Sequence, residues 1–217
     1  MGEEGDMAET ISARRMLIDM ALRRSRPGAG SVLGFLRRRT TDMNWPDLTA
    51  ILHPLPWAVA GAVATRLYMP ERATRDLDIV VLASDMPEVR RRLSAAGLVE
   101  QGILTIGGAS WRTPDGESID VIEGRDPWWA NALAEAQANR DTQGLPILPL
   151  HYLALMKVRA GRVQDLADVA RMLGQADELA LERTRAVFAQ WTPDDVEDLE
   201  SLIKLGRLEM EGGAEGR

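Results

Sequence analysis

The stretch Asp76-Leu-Asp78-Ile-Val-Val-Leu82 limits what this chain can become more than any other part of it. Apart from its two aspartates it is Leu, Ile and Val, so residues 77–82 read as a buried strand with two acids at its mouth. Alternate strand residues share a face, so Asp76 and Asp78 point the same way, about 6.6 to 6.8 Å apart along the backbone, while Leu77 and Ile79 point into a core. Two carboxylates held that close raise one another's pKa unless something offsets them. Hard oxygen ligands of this kind suit a divalent cation such as Mg²⁺ or Mn²⁺. A lone Asp-x-Asp is ordinarily a solvated strand entry, and the rest of the chain has to decide between the two readings.

A length of 217 residues allows one large domain or a compact domain with a helical appendage. There is no cysteine, which excludes disulfides and thiolate metal sites and makes a reducing, cytoplasmic compartment the expectation. No apolar run approaches the roughly 20 residues of a membrane span, and Met1-Gly-Glu-Glu-Gly-Asp6 is acidic where a signal peptide is basic, so no membrane is expected. The net charge of −7 argues against a general nucleic-acid coat protein. Arginines nevertheless cluster at 14–15, 23–26, 37–39 and 90–92, each ordinarily a solvated helix face and together a possible basic surface. Lys157 and Lys204 are the only lysines among 26 basic residues, which hints at a need for a compact point charge at Lys157. Lys204, without such a context, shows how weak that hint is.

Around the acid pair the pattern reads as alternating elements. Residues 1–7 are expected to be disordered, residues 8–24 and 31–39 helical, and residues 47–52 a helical turn, so that 1–50 forms a helical preface. Residues 56–60 suit a short buried strand, and Gly61-Ala62-Val-Ala64 a small-residue turn into a helix ending near Tyr68. Ser84 or Asp85 can cap a helix that runs to Ala96 and stops at Gly97. Residues 99–106 and 109–113 read as strands joined by a two-residue Gly107-Gly108 hairpin, with a turn leading to a strand at 118–123. Asp120 lies in the middle of that strand, on the face opposite Ile119 and Val121, and a half-buried Asp needs a partner.

Asp126-Pro127 has the form of an N-cap with proline at the first helical position, so 128–138 is expected to be helical, with Trp128 and Trp129 in the core. Residues 145–150 read as an extended edge segment, because its prolines cannot donate to a ladder. Helices follow at 151–160, 162–173, 177–190 and 193–208, and a flexible tail at 211–217. In the helix at 162–173, Val163, Leu166, Ala167, Ala170 and Leu173 form the core stripe and leave Asp165 and Asp168 off it. His53 and His151 lack ligand spacing and are assigned no chemistry.

If the strands carrying Asp76, Asp78 and Asp120 are neighbours at about 4.8 Å, the three carboxylates can meet around two ions roughly 3.5 to 4 Å apart, an arrangement suited to phosphoryl or nucleotidyl transfer. The order Gly61-Ala62, then Asp76-Leu-Asp78 after residues 63–75, then Asp120 in a later strand resembles the DNA-polymerase-β-like nucleotidyltransferase superfamily. Its signature is a Gly-Gly or Gly-Ser turn, a D-x-D or D-x-E pair and a third acid. Arg72-Ala-Thr74-Arg-Asp76-Leu-Asp78-Ile-Val, with Leu153-Ala-Leu-Met-Lys157-Val-Arg-Ala-Gly-Arg162-Val-Gln-Asp165-Leu-Ala-Asp168, is similar to the AbiEii-type and MenT-like branch, which includes toxins of toxin–antitoxin pairs.

The resemblance implies an α+β fold, a nucleotidyltransferase-type mixed β-sheet flanked by helices. It implies a helical segment at 1–50, a catalytic core at 51–149, a helical region at 150–210 that completes the site and a flexible tail at 211–217. Asp76, Asp78 and Asp120 would hold Mg²⁺ or Mn²⁺, and Gly61 and Ala62 would line the triphosphate. Lys157 would contact phosphate, with Asp165 or Asp168 orienting it, and Arg72 and Thr74 would shape the turn before the acids. The partners would be an NTP donor, an acceptor hydroxyl on RNA such as tRNA or on a protein, and a cognate antitoxin. Ala62 departs from the pattern, since a side-chain hydroxyl that could bind phosphate is missing. A small-molecule acceptor, as in antibiotic-modifying relatives, is the enzymatic alternative, and a pocket lined by Trp128 and Trp129 would favour it. A non-catalytic nucleotide- or partner-binding module is the alternative from another class. An ordinary α+β domain with coincidental acids would place Asp76, Asp78 and Asp120 far apart.

Overall fold

The computed structural model describes residues 3–27, 44–69, 74 and 76–210, with side chains from residue 13 onward. The chain divides into two compact units, one of Phe35–Pro149 and one that joins Met1–Gly34 to Leu150–Arg217. The expected helix at 31–39, Arg72 and the tail at 211–217 lie outside the described residues.

The first unit is a mixed five-stranded sheet flanked by helices. Its strands are β1 (Trp57–Val59), β2 (Asp76–Leu82), β3 (Val99–Ile103), β4 (Gly108–Arg112) and β5 (Ser118–Gly124), in the order β1-β2-β5-β4-β3. β2 and β5 pair in parallel, and the other pairs are antiparallel. One face is the core side, where Leu77, Ile79 and Val81 of β2, Ile119 and Val121 of β5, and Ala109 and Trp111 of β4 are buried. This is the period-two pattern the sequence promised.

Among the described residues the unit also holds helices α2 (Thr49–Leu52), α3 (Gly61–Ala64), α4 (Met86–Ala95) and α5 (Trp129–Ala136). A 3₁₀ turn, Thr65–Leu67, continues α3, and another, Ala83–Asp85, precedes α4, which has no side-chain cap hydrogen bond. α5 packs on β1 and β2. It begins at Trp129, one residue later than expected, and Trp128 takes the cap position. Both tryptophans are buried and stacked, with ring centroids 3.9 Å apart. The prolines of 145–150 leave that segment isolated bridges, one to β1 (Val59↔Ile147), closed by hydrogen bonds from the Val59 and Leu148 amides, and one between Arg140 and Pro146.

The hairpin between β3 and β4 corrects the two-residue expectation. β3 ends at Ile103 and Gly108 already belongs to β4, so residues 104–107 form the loop. Gly107 and Gly108 have φ of +93° and +108°, and a side chain on Gly108 would run into the Val121 carbonyl. The glycines therefore serve the left-handed backbone and the close β4–β5 approach rather than a type I′ turn. Ala109 consequently stands opposite Ile103.

The second unit holds α1 (Glu3–Arg24), α6 (Leu150–Ala160), α7 (Val163–Gly174), α8 (Glu178–Trp191) and α9 (Val196–Met210). α1 starts at Glu3, which corrects the expected disorder of residues 3–7. Arg14 is buried and pairs with Asp195 and Asp198, and its guanidinium also donates to the Val158 carbonyl at 3.3 Å. α7 and α9 cross at Gly174 and Gly206, where an added Cβ on Gly206 would lie 1.8 Å from the Ala170 carbonyl oxygen. Asp177 caps α8 by accepting from the Ala180 amide at 2.8 Å.

Candidate active site

The parallel register of β2 and β5 sets Asp78 directly beside Asp120, and Asp76 beside Ser118. In a pleated sheet, residues abreast on neighbouring strands share a face, and residues two apart on one strand share it too. Asp76, Asp78, Ser118 and Asp120 therefore occupy one face, opposite the core side. Asp78, Ser118 and Asp120 are half-buried and Asp76 is exposed. The acids thus stand on adjacent strands, not far apart as the reading of coincidental acids expects.

Gly61 is pressed against the same spot. Its φ is +60°, and a Cβ built on it would lie 1.8 Å from Oδ2 of Asp78. Only glycine combines that left-handed backbone with so close an approach. The turn is fixed from both sides, since the Ala60 amide donates to the Asp78 carbonyl at 2.8 Å and Thr65 Oγ1 donates to the Ala62 carbonyl at 2.7 Å. Further along, Arg66 pairs with Asp141 and donates to Gln143 at 2.9 Å. Ala62 is buried, so its side chain faces packed atoms rather than solvent. Thr74 is half-buried and sits in the approach to β2, its Oγ1 3.5 Å from the Asp76 amide.

The donors at this face are oxygens, three carboxylates and the Ser118 hydroxyl, which fits a hard divalent cation in kind. The Gly61 cradle around Asp78 would be filled by any side chain, and no described residue donates a hydrogen bond to the Asp120 carboxylate. Among the described residues, no three His, Cys, Asp or Glu side chains are grouped so as to hold a metal ion. The backbone brings the acids abreast, and convergence of all three carboxylates would need rotation about their short side chains.

Lys157, Asp165 and Asp168 belong to the helical unit. Lys157 is 2% exposed, and its Nζ donates to Asp165 and Asp168 at 2.9 Å each. Gln164 donates to the other oxygen of Asp168 at 3.3 Å. The expected core stripe of α7 is corrected here: Val163 is 65% exposed, whereas Asp168 is fully buried. The physical reason is Lys157, whose buried ammonium draws both carboxylates inward and turns α7 to meet it. Arg171, which could have paired with Asp168 at the surface, lies 3.9 Å from Glu209.

Sequence reasoning missed Ser110. It stands abreast of Asp120 on β4, on the carboxylate face, with Gly102 of β3 beyond it. Its place beside Asp120 depends on the β4–β5 register, which the turn at 113–117 sets and no local motif reveals.

No family model matches the chain, and no curated protein matches it. Among solved structures the chain is similar to ANT(2″)-Ia in complex with adenylyl-2″-tobramycin, with a TM-score of 0.43 at 16% identity over 72% of this chain and 92% of that one. It is similar to a protein of Thermotoga maritima provisionally described as a nucleotidyltransferase, with a TM-score of 0.40 at 18% identity over 67% and 92% of the two chains. A third is terminal uridylyl transferase 4 of Trypanosoma brucei with bound GTP, with a TM-score of 0.29 at 13% identity over 76% of this chain and 56% of that one.

Proposed function

We propose that the sheet unit is a metal-dependent nucleotidyltransferase, moving a nucleoside monophosphate from an NTP to an acceptor hydroxyl with release of pyrophosphate. The observation that supports this reading best is the pairing of Asp78 with Asp120 on adjacent parallel strands, with Gly61 packed against Asp78. Carboxylates abreast on one face, beside a turn that admits no side chain, suit a polyanionic substrate only when a cation joins them. Asp76, Asp78 and Asp120 would hold Mg²⁺ or Mn²⁺. Such an ion supplies charge neutralisation at the triphosphate and acidity at the acceptor oxygen.

The residues of the chain would do the rest. Gly61 and Ala62 would lie along the triphosphate, their backbone close to it because no side chain intervenes at Gly61. In the reaction the acceptor oxygen forms a bond to the α-phosphorus. The bond from that phosphorus to the bridging oxygen breaks, and its electron pair leaves with pyrophosphate. The acceptor's proton would pass to the Asp120 carboxylate and from there to solvent.

The acceptor is proposed at the level of a hydroxyl. Of the basic clusters that would favour an RNA end such as tRNA, Arg91 and Arg92 are paired with Glu88, Arg90 lies 3.6 Å from Glu100, and Arg14 is buried. Trp128 and Trp129, which would favour a small-molecule acceptor if open, are buried too. An RNA end, a protein side chain and an antitoxin partner draw no support from these residues. Lys157 takes no part in this reading, because two carboxylates already match its ammonium. The test is pyrophosphate release from each NTP with Mg²⁺ or Mn²⁺. Asp78→Asn is expected to lower it at least a hundredfold, and an unchanged rate in that variant would remove the assignment.

A further inference from the structure

We infer that Ser110 is an acceptor-binding residue and that the acceptor reaches the carboxylates across β4, from the side away from the Gly61 turn. The inference rests on the nucleotidyltransferase reading above.

The strand order makes the face directional. Asp78 of β2, Asp120 of β5, Ser110 of β4 and Gly102 of β3 stand abreast in that order, and Gly61 packs on Asp78 at the β1 end. A triphosphate lying along the Gly61 turn occupies the β1–β2 end of this row. In-line displacement requires the attacking oxygen and the leaving pyrophosphate on opposite sides of the α-phosphorus. The attacking hydroxyl must therefore come from the β5–β4 end, where the next side chain after Asp120 is Ser110.

Three observations fit Ser110 to that task. It is half-buried on the carboxylate face, about 4.8 Å from the β5 backbone, so its hydroxyl and the Asp120 carboxylate can both reach one small polar group. No described residue hydrogen-bonds the Ser110 hydroxyl, which leaves it a donor and two acceptor lone pairs to offer. Beyond it the row ends in Gly102 of the edge strand β3, where an added Cβ would meet no described atom within 4 Å.

The flanking rows give the approach a direction within the face. On one side lie Val80, Ile122 and Gly108, all buried. On the other lie Asp76, Ser118, Arg112 and Val99, all exposed or half-buried. An acceptor enters over the second row and places its hydroxyl between Asp120 and Ser110. The Ser110 hydroxyl then holds the acceptor oxygen while Asp120 takes its proton.

The test uses the full chain with each NTP labelled at the α-phosphate, Mn²⁺, and three hydroxyl acceptors supplied separately: bulk tRNA, kanamycin and a serine-containing peptide. Ser110→Ala is compared with the wild type and with Ser110→Thr, which keeps the hydroxyl and suits a strand. Ser110→Ala is expected to raise KM for whichever acceptor is labelled by about five- to tenfold, the reach of one hydrogen bond, with NTP affinity unchanged. Ser110→Thr is expected to restore it. An active wild type with an unaltered acceptor KM in Ser110→Ala overturns the inference and leaves the transferase reading standing, as does a KM that rises equally for NTP and acceptor. A wild type that binds NTP but labels none of the three acceptors overturns the inference. A wild type that binds no NTP removes the transferase reading, and the inference with it.

Discussion

At the scale of the residue, Gly61 is the position on which most depends. Alanine there would need a left-handed backbone, costing about 1–2 kcal/mol, and its Cβ would drive the Asp78 carboxylate out of place. Gly61→Ala is therefore expected to abolish metal-dependent NTP binding while the chain still folds, with a thermal midpoint only a few degrees lower. Binding retained at wild-type affinity would show that Asp78 is not held by this contact. Lys157 makes the opposite kind of prediction, about stability. Lys157→Met would remove the ammonium that donates to Asp165 and to the fully buried Asp168, and should cost about 3–5 kcal/mol in urea unfolding. A loss below about 1 kcal/mol would mean the trio is weakly coupled. The sequence marked Lys157, Asp165 and Asp168 as a group but could not tell which way they faced. An apolar stripe calculation treats every Asp as a surface residue, and it misplaced Asp168 because a buried lysine from the preceding helix reverses that preference.

At the scale of the element, β2 and β5 were legible because period-two burial and a mid-strand acid survive in sequence as pattern. Their adjacency was not, since parallel pairing is made by a crossover whose partner no local signal names. The β3–β4 hairpin failed for a narrower reason. Gly-Gly serves a tight turn and a close strand approach equally well, and here the clash with the Val121 carbonyl shows that the second use governs Gly108. α4 carries a prediction of its own. The Glu88 carboxylate accepts hydrogen bonds from Arg91 and Arg92, which hold its pKa down to about 2 from an ordinary 4.5. Because the folded value is the lower one, whatever these bonds contribute is present above pH 4.5 and is lost as the pH falls toward 2. An NMR titration of Glu88 should give a midpoint near 2, moving up toward 4.5 when Arg91 and Arg92 are both replaced by alanine. A wild-type midpoint already near 4.5 would deny the pairing.

At the scale of the whole molecule, the chain separates its tasks. The sheet unit holds Gly61, Asp76, Asp78, Asp120 and Ser110 on one face, and the helical unit holds its buried ions, Arg14 with Asp195 and Asp198, and Lys157 with Asp165 and Asp168. The expected helical preface is split by this division, since Met1–Gly34 belongs with the C-terminal helices. Sequence order alone could not show that, because a buried Arg14 looks like any arginine of an exposed helix. The carboxylate row of the sheet unit is proposed to take a metal and through it a nucleoside triphosphate. The most direct measurement is calorimetric titration of the full chain with each of the four NTPs, with Mg²⁺ and then with EDTA, on wild type and Asp78→Asn. Binding of at least one NTP is expected with Mg²⁺, and its loss both in EDTA and in Asp78→Asn. NTP binding that survives EDTA and Asp78→Asn unchanged, or no binding under any condition, would contradict it.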